Sequence, residues 1–230
     1  MTNIEILEMI KEDFDHEYFD NYYDFEYIAE KKGYKVMSGC SRTVLYKEAF
    51  GDYVVKLSFG NDDDRDGSSF ETGENYFDIE NAIYENSIEA GLSEFFVPNE
   101  YLGNMTINTT VYTYDDEGEE DGEEDYVSSV DIYLQKKVDK TFCNYECSRR
   151  YSEDCYKKES RALKIAHKSH IKYNTFDGEA ECFLVRKYGI KKFIELSKFI
   201  DEEGITDLHN GNFGLKNGEI IFFDYGGYWG

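Results

Sequence analysis

Proline occurs once in 230 residues, at Pro98, so no Pro-rich linker divides the chain. Basic residues are scarce as well: 25 Lys and Arg stand against 49 Asp and Glu, a formal net charge of −24. Such a surface repels phosphate backbones and anionic lipid over roughly a Debye length, about 8 Å at physiological salt. Direct binding to nucleic acid or to a membrane is therefore unfavourable. A host protein that itself grips nucleic acid fits better, because an acidic surface can mimic DNA, although solubility or a saline host explains the charge more simply. Long apolar runs are missing too. The N-terminal MTNIEILEMIKEDFDHEYFD is acidic and reads neither as a signal peptide nor as a membrane span. The cysteines, Cys40, Cys143, Cys147, Cys155 and Cys182, are five in number and include no CxxC pair. They read as reduced thiols in a cytoplasm, in preference to a zinc site of Cys143, Cys147 and Cys155 with His167 and His170, whose spacing fits no standard motif.

What the chain does have is core material. Hydrophobic residues make up 40% and aromatics 17%, which outweighs the 32% of charged residues as an argument for a folded protein. The length suits one large domain or two small lobes, and no internal repeat is visible. Ile4, Leu7, Ile10 and Phe14 recur at helical spacing, so residues 1–33 open as an amphipathic helical segment. YKVMSGCSRTVLYKEAFGDYVVKLSF (34–59) predicts an antiparallel hairpin turning near Phe50-Gly51-Asp52. A polar, Gly-rich loop follows at 60–75. Helical periodicity returns at 76–92, with Ile79, Ile83, Ile88 and Leu92 as expected core contacts. Strand-like runs at 105–114 and 127–136 flank DDEGEEDGEED (115–125), read as a solvated hairpin tip or mobile loop. Residues 144–203 read as helical. Their clearest part places Ile190, Phe193, Ile194, Ser197 and Ile200 on one face, and Gly204 supplies the stop.

The end of the chain carries the chemistry. Phe213–Lys216 and Glu219–Phe223 flank Asn217-Gly218, the pair that favours a type I′ two-residue hairpin turn. Opposed residues in such a hairpin have numbers summing to about 435, the sum of the two turn positions. Asn212 then faces Phe223, with Asp224 beside it and Asp207 in the loop leading in. An Asp and an Asn held together suit a hard divalent cation such as Mg²⁺, which keeps water and shares phosphate oxygens. A further Asp nearby can orient or deprotonate a hydroxyl nucleophile.

DLHNGN (207–212) followed by the Asp-Tyr-Gly of residues 224–226 resembles the catalytic and metal-binding region of the protein-kinase-like superfamily, notably the DLHxGN of aminoglycoside and choline kinases. The resemblance implies an α+β, two-lobed kinase-like fold: a β-rich N-lobe at 34–138 and a truncated, mainly helical C-lobe at 139–230. It also implies ATP and Mg²⁺ as cofactors, Asp207 as catalytic base, and Asn212 and Asp224 as metal ligands. One departure is that Ile205 and Thr206 stand where the family has His and then Arg or Gly. Upstream, Gly39-Cys40-Ser41-Arg42-Thr43-Val44 takes the place of the loop over the phosphates, with Gly39, Ser41 and Arg42 as nucleotide contacts, though it is not a full GxGxxG. Tyr53-Val54-Val55-Lys56-Leu57 resembles the strand motif VAIK, placing Lys56 against the α- and β-phosphates. Glu80 on the 76–92 helix is the expected ion-pair partner of Lys56, with Glu85 as the alternative. Main-chain groups around Gln135, Lys136 and Lys137 would meet an adenine edge. The phrasing Ser-Arg-Thr-Val-Leu-Tyr, DLHNGNFG and FFDYGG is similar to small kinase-like proteins of tailed phages, whose compartment would be the host cytoplasm.

Only YGGYWG follows Asp224 in this sequence, where kinases place acceptor-binding helices. By that comparison the acceptor site is expected from 143–180, from a partner, or not at all. Two functions are therefore expected in competition. One is a minimal Mg·ATP-dependent phosphotransferase. The other is a catalytically inactive kinase-like acidic protein that engages a host protein, as an inhibitor or nucleic-acid mimic. Arg149, Arg150, Lys157 and Lys158 form a basic island, read as a solvated helix face or an anionic acceptor site. His209 reads as a turn cap or phosphate contact, and Trp229 as a packing anchor.

Overall fold

A computed structural model describes residues 1–19, 22–38, 43–59, 76–114, 120–141, 178–206, 208 and 211–226. The fold is mixed α+β and divides into two compact units, 1–75 with 99–137 and 76–98 with 138–230. This partition is not the expected sequence of three blocks. Residues 1–33 share a core with the first sheet, and the helix after residue 75 shares one with the C-terminal residues.

The first unit contains α1 (Asn3–Phe14), β1 (Tyr18–Phe19), α2 (Tyr22–Lys31), β2 (Lys35–Ser38), β3 (Thr43–Tyr46), β4 (Tyr53–Phe59), β5 (Asn99–Tyr114) and β6 (Glu120–Lys136). Its six strands run in the order β1-β5-β6-β4-β3-β2. Helix α1 starts at a capping box. The Thr2 hydroxyl accepts from the Glu5 N–H, and the Glu5 carboxylate accepts from the Thr2 N–H, satisfying two end donors reciprocally. Its buried row is Ile6, Ile10 and Phe14, whereas Ile4 is 68% exposed. Ile10 and Phe14 meet the core as expected, with Ile6 one turn before them; Leu7 flanks this row, and Ile4, expected on it, points to solvent. Phe14 lies 5.1 Å from Phe25 and 5.2 Å from Tyr34, ring centre to ring centre. These side chains pack with Leu45, Val55, Leu57, Ile107, Val130, Ile132 and Leu134 of the sheet.

The expected hairpin at 50–52 is present. A 3-10 turn at Glu48–Phe50 joins β3 to β4, closed by Gly51 at φ 63°, a conformation that costs glycine little. The β5–β6 ladder is longer than predicted and pairs residues from Asn99↔Gln135 to Tyr114↔Glu120. Residues 120–125, expected in a loop, are therefore strand. The β-branched and aromatic TVYTY of residues 110–114 supplies the pairing partner that the acidic run could not announce by itself.

The second unit contains α3 (Tyr76–Glu89), β7 (Lys140–Thr141), α4 (Gly178–Glu202), β8 (Phe213–Lys216) and β9 (Glu219–Phe222), with a three-stranded sheet β7-β8-β9. Ile83 and Leu92 enter its core as expected and Ile79 packs on it, but Ile88 is 49% exposed and does not. Helix α4 is broken at Gly189 (φ 82°, ψ 161°). After the break Phe193, Leu196, Phe199 and Ile200 are buried, and Ile190 is only half-buried. The expected stop at Gly204 is a Schellman motif: Ile205 N–H bonds the Ile200 carbonyl at 3.0 Å and Gly204 N–H the Asp201 carbonyl at 3.3 Å. Among the described residues, no helix is long and apolar enough to cross a membrane.

Candidate functional site

The terminal hairpin has the predicted register. Phe213 faces Phe222 and Lys216 faces Glu219, and the turn residues Asn217 (φ 52°) and Gly218 (φ 77°) are both left-handed, as a type I′ turn requires. Past the last pair, the Asn212 carbonyl accepts from Phe223 N–H at 3.0 Å and from Asp224 N–H at 3.2 Å. Asn212 is 8% exposed and Asp224 half-buried. The backbones of Asn212 and Asp224, the expected metal ligands, thus adjoin.

Glu80, on α3, is completely buried. One of its carboxylate oxygens accepts from Tyr225 N–H at 2.8 Å and from Gly226 N–H at 3.3 Å. Glu85 is exposed, so of the two candidate glutamates only Glu80 reaches the interior. The Tyr225 ring is buried against Phe96, and its hydroxyl donates to the Val97 carbonyl at 2.9 Å. Val97 N–H in turn bonds the Phe222 carbonyl at 3.0 Å. Asp224 is therefore flanked by anchored backbone on both sides, on Asn212 before it and on Glu80 after it.

The far end of the hairpin is held from two directions. On one side, Asp139 accepts from Asn217 N–H at 2.7 Å and lies 3.7 Å from the Lys216 ammonium. On the other, Lys187 donates to the Gly218 carbonyl and pairs with Glu219 at 2.8 Å. The Tyr188 hydroxyl donates to Glu219 at 2.6 Å and accepts from Ile220 N–H at 3.0 Å. Burial, and then the bond to Glu219, push the Tyr188 phenol well above its ordinary pKa. Bonds from Lys187 and then Tyr188 hold Glu219 below the usual carboxylate range.

In the first unit, Lys56 is 2% exposed on β4, between Val44 on β3 and Tyr133 on β6. It shares a sheet face with Val54, away from the core-facing Val55 and Leu57. On that face the Gln135 amide donates to Asn99 at 2.9 Å. Gln135 itself lies inside the sheet, opposed by Val54 and by Asn99. The Lys137 N–H is donated to the Asp52 carbonyl at 2.8 Å, and its ammonium to the Tyr46 hydroxyl at 3.1 Å. These two residues were expected to offer main-chain groups to an adenine edge. The backbone of Gln135 lies between ladder strands, and the Lys137 N–H closes the end of the β4–β6 pair. Lys136, opposed only by Tyr53, ends the ladder. Gly39, Ser41, Arg42, Asp207 and His209 lie outside the described residues, as do 143–177 with the basic island.

The side-chain types of Asn212 and Asp224 are ones that Mg²⁺ accepts. An amide oxygen and a carboxylate are hard ligands, and this ion completes its octahedron with water and phosphate oxygens. Among the described residues, no group of three or more His, Cys, Asp or Glu is placed to hold a metal ion, so a closed all-protein cage is not what these residues build. The sequence reading missed the bonds from Glu80 to the Asp-Tyr-Gly backbone, and it missed Tyr188 and Asp139. The Tyr188-Gly189 dipeptide inside a helical pattern was the one local signal available for the latter group. Comparison with protein-family models, with curated proteins and with solved structures finds no match for this chain.

Proposed function

We propose that the chain is a Mg·ATP-dependent phosphotransferase with a two-lobed kinase-like fold, acting in a cytoplasm. One observation carries this reading. The backbone N–H groups of residues 223–226 are satisfied by the Asn212 carbonyl and the Glu80 carboxylate, which holds the backbone of Asp224 beside that of Asn212.

In this reading Asn212 and Asp224 hold Mg²⁺, which when bound neutralises charge on the phosphates. Asp207 takes the proton of the acceptor hydroxyl, and Lys56 meets the α- and β-phosphates. Glu80 fixes the turn that presents Asp224. Positioning and electrostatics supply most of the rate, as in phosphoryl transfer generally.

The test is thermal stability with and without Mg·ATP, for the native protein and for Asp224→Ala. The expected result is a Mg²⁺-dependent rise in the native protein, since ligand that binds only the native state stabilises it. The rise is absent in Asp224→Ala. No rise at saturating nucleotide refutes the phosphotransferase and leaves an acidic binding protein that engages a host protein.

A further inference from the structure

We infer that Tyr188 is a positioning residue for the Asn212–Asp224 pair, acting from the opposite edge of the terminal hairpin. This rests on the metal reading proposed above. In a two-residue hairpin, alternate residues of each strand turn their N–H and C=O groups away from the partner strand. For β9 those residues are Ile220 and Phe222. The carbonyl of Phe222 is taken by Val97 N–H, and the N–H of Ile220 by the Tyr188 hydroxyl. Among the described residues, no strand lies beyond β9 in its sheet. Tyr188 and the Phe96–Val97 segment thus substitute for a neighbouring strand along the edge that leads directly into Asp224.

The break at Gly189 makes this possible. With φ at 82°, the residue adopts a conformation rare for side-chain-bearing residues, and α4 changes course immediately after Tyr188. The ring is fixed as well, 5.0 Å edge-on from Phe95. The hydroxyl is spent twice, donating to Glu219 and accepting from Ile220, so its orientation is determined. Removing that oxygen leaves the Ile220 amide unsatisfied at a buried strand residue. It also releases the edge two residues upstream of Phe222, whose partner Phe213 adjoins Asn212. β9 is the edge of its three-stranded sheet, so its outward N–H and C=O groups depend on such partners. Loosening the edge therefore alters how closely residues 212 and 224 are held, without touching either.

The experiment compares native protein with Tyr188→Phe and Glu219→Gln, the second keeping the ring and phenol while weakening the phenol's acceptor. Lys191→Ala, at a side chain 92% exposed, is the control. Amide hydrogen exchange is followed across 219–226 and across α3, together with the Mg²⁺ concentration that half-saturates the thermal response at fixed ATP. In Tyr188→Phe, exchange over 220–226 rises about tenfold while α3 stays at native rates, and half-saturation needs about tenfold more Mg²⁺. Glu219→Gln moves both in the same direction by less, and Lys191→Ala moves neither. Native exchange in Tyr188→Phe overturns the inference. Faster exchange with an unchanged Mg²⁺ requirement also overturns it, because the contact is then structural only. A native protein that ignores Mg·ATP refutes the metal reading itself, and with it any positioning role, whatever the exchange rates show.

Discussion

Replacing Glu80 separates the two things its carboxylate does. It accepts two buried N–H groups, at 2.8 and 3.3 Å, and a carboxylate is a stronger acceptor than an amide. Hydrogen bonds to a charged acceptor contribute about 1.5–3 kcal/mol each, and neutral ones about 0.5–1.5. Glu80→Gln keeps an acceptor oxygen of the same reach, so each bond drops by about 1 kcal/mol and the cost is about 2 kcal/mol. Glu80→Ala removes the acceptor and leaves two buried donors, at about 1–3 kcal/mol each, for a total near 4 kcal/mol. Because the chain forms two units, a single unfolding midpoint mixes them. Amide exchange of α3 and β9 reports the second unit by itself. The expected order of protection is native above Gln above Ala, with Glu85→Ala, at an exposed side chain, within about 0.5 kcal/mol of native. If Gln and Ala cost the same, the N–H acceptor role is wrong. If Ala lies within about 1 kcal/mol of native, the buried anchoring is wrong altogether.

Further outcomes follow from the same contacts. Phe222 is fully buried and touches the rings of Phe95, Phe96 and Phe213; Phe222→Ala costs about 3–5 kcal/mol in β8–β9 amide protection. The Thr109 hydroxyl is buried without a hydrogen-bond partner among the described residues. Thr109→Val should therefore stabilise the first unit by about 1 kcal/mol, seen as a higher melting temperature; a loss would mean the hydroxyl is satisfied. Glu219 has its carboxyl held below 4.5 by Lys187 and then Tyr188. Its contribution is complete above that value and disappears as pH falls through the lowered one. The stability gap between native and Glu219→Gln, measured from pH 7 downward, closes only below pH 4.5; a gap that is constant with pH refutes the pairing.

Where the sequence was legible, local chemistry decided the outcome. Asn217-Gly218 permits a two-residue turn, and a two-residue turn fixes every later pair, so Asn212 and Asp224 could be brought together by arithmetic. Gly204 ended a helix because its conformation allows the Schellman bonds. Where two answers satisfied the same local rule, the sequence misled. The period of α1 admits Ile4 or Ile6 in front of Ile10 and Phe14, and the choice rests on the aromatic partners of Phe14 at 25 and 34. Residues 120–125 look like loop in any window, since their pairing partner lies across the hairpin at 110–114. Glu80 meets Tyr225 across 145 positions, and no pattern within a helix indicates that.

The placement of Glu80 also bears on the chain's charge. With a formal charge of −24, exposed carboxylates are screened from one another within about 8 Å of physiological electrolyte, but a buried one is not. Two peptide dipoles at hydrogen-bond distance stabilise it locally. They come from the residues that follow Asp224, so the group that neutralises the strain of burial also fixes the candidate metal ligand. The same net charge raises the concentration of cations near the surface and lowers that of phosphates. On the proposed reading, Mg²⁺ therefore belongs to recognition as much as to catalysis, since the magnesium complex carries less negative charge to the site than free nucleotide does. An acidic nucleotide-binding protein is consistent on these terms when its metal ligands are held in advance, and the backbone on both sides of Asp224 is held in that way.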